Sequence, residues 1–149
     1  MHRSARLLLA IVALTLTLSA GAGASNATLR TTLNTWSKKI GADAHSVALA
    51  AQLRHPRRMT TDANLFRADA LLAQAAVTRQ RLSTAKGAKA RRLALTAFKD
   101  YAVAGARWAA SGRARLAHHR AASIAYANAG ATYARTANNL LVSAGKLLR

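Results

Sequence analysis

From about residue 25 onward the apolar residues of this chain recur every three or four positions, and a single proline, Pro56, interrupts the rhythm. Side chains three and four apart share one face of an α-helix, so this period predicts helix throughout. No strand-like alternation competes with it. Leu29, Leu33, Trp36, Ile40, Ala44 and Val47 make the first apolar face. It is expected to end near RHPRRMTTD, residues 54–62, because proline pushes the residue before it out of helical conformation. Thr60 or Thr61 is the expected cap of the next helix, with Asp62 in its first turn. That second helix carries Leu65, Phe66, Leu72, Ala76 and Val77 and is expected to run to about Thr84, with Lys86-Gly87 as a glycine stop.

A third helix is expected from near Ala88, with Ala90, Ala94, Ala97, Tyr101, Ala104 and Trp108 as its seam. Ser111-Gly112-Arg113 is the expected break before a fourth. The alternative is one continuous helix, since an interior glycine costs only about 1 kcal/mol. Ser123, Ala127, Gly130, Ala134, Ala137, Leu141, Ala144 and Leu148 continue the rhythm to the end. Short connections between four such segments predict an all-α fold, an antiparallel up-down four-helix bundle. The last two seams are rich in small residues and bury little area each, so the core is expected to depend on a few large anchors. Those are Leu33, Trp36, Ile40, Leu65, Phe66, Leu72, Tyr101, Trp108 and Leu141.

The N-terminus has a different character. MHRSAR is a short basic run, LLLAIVALTLTLS (residues 7–19) an apolar core, and AGAGASNA a small-residue stretch with Ala22-Gly23-Ala24 in the A-x-A pattern. This order predicts a secretory signal peptide over residues 1–24, a helix cleaved near Ala24. One cationic helical domain over residues 25–149 would follow. The apolar run is short for a membrane span of roughly 20 residues. No cysteine follows it to take a lipid anchor, and Arg3 and Arg6 are not a twin-arginine pair. The expected location is outside the cytoplasm, secreted or in the periplasm or cell wall. With no cysteine, the domain is expected to hold itself together without disulfides.

Alanine is the commonest residue and arginine outnumbers lysine, a bias that GC-rich coding produces. In signal segment, composition and helical rhythm the chain resembles the small exported Ala/Arg-rich helical bundles of GC-rich bacteria, a group without an assigned activity. The resemblance implies the fold and export. It carries over no functional residue.

Enzyme chemistry finds little to work with. The acids are four scattered aspartates, Asp43, Asp62, Asp69 and Asp100. There is no glutamate or cysteine, no G-x-S-x-G and no phosphate-cradling glycine loop. His118 and His119 are adjacent, and on a helix successive residues point about 100° apart. A chelating pair needs His-x-x-x-His spacing, and Arg115 and Arg120 would repel a cation, so no metal or other cofactor is expected. The two histidines read as a solvated pair on a basic helix face. Trp36 and Trp108 read as core, and Tyr126 and Tyr133 as partly buried with the hydroxyl in water.

The charge is the feature that needs a partner. Lys and Arg number 23 against 4 acids, for a formal charge of +19. Basic helix faces usually balance themselves with carboxylates four residues away, and here the only such pair expected is Lys39–Asp43, in the less favourable order. The cations cluster at Arg54, Arg57 and Arg58, at Arg79 and Arg81, at Lys86, Lys89, Arg91 and Arg92, and at Arg113, Arg115 and Arg120. In an up-down bundle the 54–58 and 113–120 clusters share one end and form one patch, while 79–92 lies at the other. Such self-repulsion destabilises a compact state unless a polyanion relieves it. The expected partner is an anionic envelope polymer or an anionic membrane surface. The alternatives are an inert spacer, or a membrane-active cationic protein. Nucleic acid would bind the purified protein without specificity, and export keeps the two apart. With so few carboxylates to protonate, acid unfolding is weak. Helical circular dichroism should persist to about pH 3, and cooperative loss above about pH 4 would contradict this.

Overall fold

The computed structural model describes the backbone from Arg3 and the side chains from Asn26. The expected signal segment and its cleavage site at Ala24 lie outside the residues whose side chains are described. Among the described residues there are four α-helices and no strand. They are α1 (Arg3–Gln52), α2 (Pro56–Thr78), α3 (Ala85–Leu116) and α4 (Arg120–Leu147). The all-α expectation holds.

Several boundaries differ from expectation. Pro56 does not merely end α1; it opens α2, where a missing N–H costs nothing. Thr60 and Thr61 therefore lie inside α2, and their hydroxyls donate back to the Pro56 and Arg57 carbonyls at 2.9 and 3.2 Å. At the other end α2 stops at Thr78, six residues short of expectation. Gly87 is no stop either, because it belongs to the first turn of α3. Thr84 caps that helix, its hydroxyl accepting from the Gly87 N–H at 3.0 Å.

The expected break at Ser111-Gly112-Arg113 is absent. α3 passes through it and ends at Leu116. Both small residues are there for packing. Gly112 is buried against α2, where an added Cβ would overlap the Thr60 hydroxyl and come within 2.9 Å of the Pro56 carbonyl oxygen. Ser111 is buried against α4 and donates to the Ser123 carbonyl at 2.8 Å.

Consecutive helices pack on one another, and α3 lies between α2 and α4. α1 packs on α2 and only touches α3 and α4. A cleft of about 700 Å³ separates α1 from α4, with Arg30, Asn34, Ile40, Tyr101, Leu141 and Arg149 among its walls. The core follows the predicted seams on α1, α3 and α4. Leu29, Leu33, Ile40 and Val47 are buried on α1, and Ala90, Ala94, Ala97, Tyr101 and Ala104 on α3. Trp36, Trp108 and Leu141 are half-buried against it.

On α2 the expectation fails for two anchors. Leu65 is 52% and Leu72 56% exposed. The buried strip is instead Met59, Ala63, Phe66, Ala70, Ala73 and Val77. It keeps the three-four rhythm but lies one residue round the helix from the leucines. Phe66 is its one aromatic residue, with its ring edge-to-face on Tyr101 at 5.7 Å and on Trp108 at 5.1 Å. Phe98, also fully buried, extends this cluster along α3.

Small residues on α2 and α3 let the backbones approach. A Cβ on Gly105 would stand 2.9 Å from the Ala63 carbonyl oxygen and 3.0 Å from the Arg67 nitrogen. Gly41 on α1 has nothing within 4 Å. Helix propensity alone favours alanine at both sites by about 1 kcal/mol. At Gly105 the overlap, worth about 1–3 kcal/mol, reverses the sign. Thermal unfolding should therefore show Gly41→Ala raising the melting temperature and Gly105→Ala lowering it. Two shifts of the same sign would contradict the close approach.

Candidate anion-binding site

Three of the four acids are gathered in one place. Lys39 on α1 reaches across to Asp69 on α2, Nζ to Oδ2 at 2.9 Å, and Arg58 meets Asp62 at 3.5 Å within α2. The sequence reading picked out Lys39–Asp43 and passed over Arg58–Asp62. Asp43, also on α1, has one carboxylate oxygen buried and without a hydrogen-bond partner. Burial pushes the Asp43 carboxyl above its ordinary 3.8, and the hydrogen-bonding contact with Asp69 adds to the rise against the pull of Lys39. The Lys39 ammonium is raised above 10.5, chiefly by its bond to Asp69 and then by Asp43. Three of the four aspartates thus lie at or beside the α1–α2 contact, of which Asp69 bridges it, and two cations are paired among the described residues.

The unpaired cations concentrate at the helix ends. α1 closes with His55 N–H on the Ala50 carbonyl at 2.9 Å and Arg54 N–H on Ala51 at 3.2 Å. α3 closes in the same way, with His119 N–H on Ala114 at 2.8 Å and His118 N–H on Arg115 at 3.1 Å. Both are Schellman closures, which turn the chain through one left-handed residue, usually glycine. Here those residues are Arg54, φ 56°, and His118, φ 60°. Each costs about 1–2 kcal/mol relative to glycine. They are the two positive-φ positions among the described residues.

The two closures lie side by side. Arg54, Arg115, His118, Arg120, Ser123 and Ile124 line a hollow of about 630 Å³. A neighbouring hollow of about 500 Å³ is lined by His55, Pro56, Arg57, Arg58 and Leu116. α4 begins at this end with no side chain capping it. The Ser111 hydroxyl, bonded to the Ser123 carbonyl, pins α4 to α3 directly below. Arginines here provide planar forks of donors suited to phosphate or carboxylate oxygens. The uncapped helix start favours negative charge in the same place.

The expected site residues thus divide. Arg54, Arg57, Arg58, Arg115 and Arg120 come together. Arg113 is exposed on the last turn of α3 and lines neither hollow. Lys86, Lys89 and Arg92 are exposed in the first turns of α3, at the far end of α2. Arg91 is half-buried there and donates to the Gln80 carbonyl at 2.7 Å, so it fastens the α2–α3 connection. His118 and His119 do not ride on a helix as expected; they form the α3–α4 connection, and both are exposed. The lining residues His118, Ser123 and Ile124 were missed, because the break was placed at residues 111–113. In the sequence the two closures, Leu53-Arg54-His55 and Ala117-His118-His119, share only their final histidine, too little to mark them.

Among the described residues no three His, Cys, Asp or Glu side chains gather to hold a metal, and no helix is long and apolar enough to cross a membrane. No known protein family, no characterised protein and no solved structure matches the chain.

The Asp43 carboxyl supplies a test of the acid cluster. A carboxyl whose pKa is raised on folding binds its proton more tightly in the folded state, so the fold gains stability as pH falls through that raised value toward 3.8. The melting temperature should rise as the protein is taken from neutral pH into the carboxylate range. Asp43→Asn should be more stable at pH 7 and lose that rise. An Asp43→Asn protein less stable at pH 7 would mean its charge supports the α1–α2 contact.

Proposed function

We propose that the protein is an exported, non-enzymatic cationic helical bundle that associates electrostatically with anionic polymers or lipid headgroups of the cell envelope. The observation that carries this reading is the hollow in which Arg54 from the α1–α2 connection, Arg115 from the end of α3 and Arg120 from the start of α4 converge without a carboxylate among its lining residues. Export rests on the N-terminal sequence, with cleavage near Ala24 leaving residues 25–149 as the working domain. The bundle is read as up-down and antiparallel. Supporting this, Thr32 bonds to Gln80 and Lys39 to Asp69, so residue numbers fall along one helix as they rise along the other. The pairs Gly112 with Thr60 and Gly105 with Ala63 run the same way.

Charge reversal separates a functional surface from a compositional one. Glutamate at Arg54, Arg57, Arg58, Arg115 and Arg120 should abolish binding of the full chain to isolated anionic envelope polymer, with helicity retained and neutral dextran as control. Reversing Lys86, Lys89 and Arg92 at the other end should cost far less. Wild-type binding should weaken with salt yet persist at physiological strength. Binding seen at low salt alone would show that the arginines are compositional.

A further inference from the structure

We infer that the arginine end of the bundle docks on an anionic phospholipid surface. A lipid phosphate enters the hollow of Arg54, Arg115, His118 and Arg120, and Leu53, Leu116 and Ile124 enter the headgroup boundary around it. This rests on the anion reading above and commits it to one partner.

The first support is apolar. Leu53 is 52%, Leu116 44% and Ile124 52% exposed, and all three lie in or beside the two connections that carry the arginines. Ile124 shares a hollow with Arg54, Arg115 and Arg120, and Leu116 shares the next one with Arg57 and Arg58. A soluble polyanion offers nothing to these side chains. A membrane interface offers phosphate to the guanidinium groups and acyl chain to the leucines within a few ångströms of depth.

The opposite end is an internal comparison. There Arg79, Arg81, Lys86, Lys89 and Arg92 are exposed too, but no large apolar side chain in the 79–92 stretch is. The 79–92 stretch itself has charge alone, with the exposed Leu71, Leu72 and Val142 set back on the α2 and α4 helices, whereas at the near end Leu116 and Ile124 share hollows with the arginines.

The second support is the backbone. The connection at the far end, 79–84, makes its turn without a left-handed residue; Arg79, capping α2, has φ −73°. Both connections at the near end use one, and both fill it with a side chain that lines the hollow. Glycine would suit either position better for the fold. Arginine and histidine there put donors into the hollow, beside the uncapped start of α4.

Co-sedimentation of the full chain with vesicles tests this. Phosphatidylglycerol vesicles offer the phosphate, phosphatidylcholine vesicles report what residues 7–19 contribute by themselves, and soluble polyphosphate offers phosphate without a membrane. Three variants are compared with wild type: Arg54→Gly with His118→Gly; Leu53→Ser with Leu116→Ser and Ile124→Ser; and Lys86→Glu with Lys89→Glu and Arg92→Glu. The glycine pair should raise the melting temperature by a few degrees and weaken binding to phosphatidylglycerol about fivefold or more, the worth of roughly one basic residue at an anionic surface. The serine triple should weaken vesicle binding about tenfold and leave polyphosphate binding unchanged, with helicity intact. The far-end reversal should cost less than either.

Unchanged vesicle binding in the serine triple overturns the inference, as does polyphosphate bound by wild type while phosphatidylglycerol is not. In both cases the anion reading of this end survives. If wild type binds neither, that reading falls as well. Release of an entrapped dye from the vesicles also overturns docking, because it indicates disruption of the bilayer.

Discussion

α3 lies so close to its two neighbours that Gly105 and Gly112 facing α2, and Gly130 facing α3 from α4, have no room for a Cβ. Alanine fills most of the remaining seam. Each alanine removes little area from water, at roughly 25 cal/mol per Å². The close approach compensates by bringing many backbone and methyl atoms into dispersion contact. It also limits where bulk can go. Phe66 and Phe98 take the available volume beside Tyr101, and Leu65, Leu71 and Leu72 are left on the surface of α2. α1 joins this tight core from one side only, through α2, which is why a cleft stays open between α1 and α4.

That asymmetry decides where the charge settles. α1 lacks the small-residue contact that α3 enjoys, and its junction with α2 carries the aspartates instead. Lys39–Asp69 spans that junction, with Asp43 and Asp62 beside it. Once the acids are committed there, the ends have none to spare. α2 has 23 residues, so the two basic ends stand about 35 Å apart along it at 1.5 Å per residue. This exceeds the Debye length of about 8 Å at physiological salt. The ends therefore act as separate surfaces, each compared with the other under the same global charge.

Much of this was readable in the residues, and the exceptions have physical causes. Period located the seams of α1, α3 and α4 residue by residue, because a seam repeats whatever its side chains weigh. On α2 bulk and period disagree: Leu65 and Leu72 are the large residues, but Ala63, Phe66, Ala70 and Ala73 keep the better rhythm and are the ones buried. Glycine misled twice for one reason. Gly87 and Gly112 were read as punctuation, and both are sites where another group needs the space of a Cβ: Asn26 and Thr84 at the first, Thr60 and Pro56 at the second. The shared basic end followed from topology, since the first and third connections of an up-down bundle fall at one end. The lining of its hollow did not. That depended on where α3 stops, and α3 stops at a residue type that rarely stops a helix.

The manner of that stop distinguishes the two ends more sharply than charge does. At the far end local rules are obeyed. Thr84 caps α3 by accepting from Gly87, and Arg91 ties down the Gln80 carbonyl. At the near end they are broken twice over, with Arg54 and His118 in left-handed positions and α2 and α4 both starting without a side-chain cap. Local preference is followed in one connection and departed from in two others on the same surface, the pattern expected where a site serves something besides stability. Charge repulsion makes the departure at Arg54 more costly, because its guanidinium lines a hollow already lined by Arg115 and Arg120. An anion in that hollow would offset the repulsion and justify the strain at once. No partner at the other end would do both.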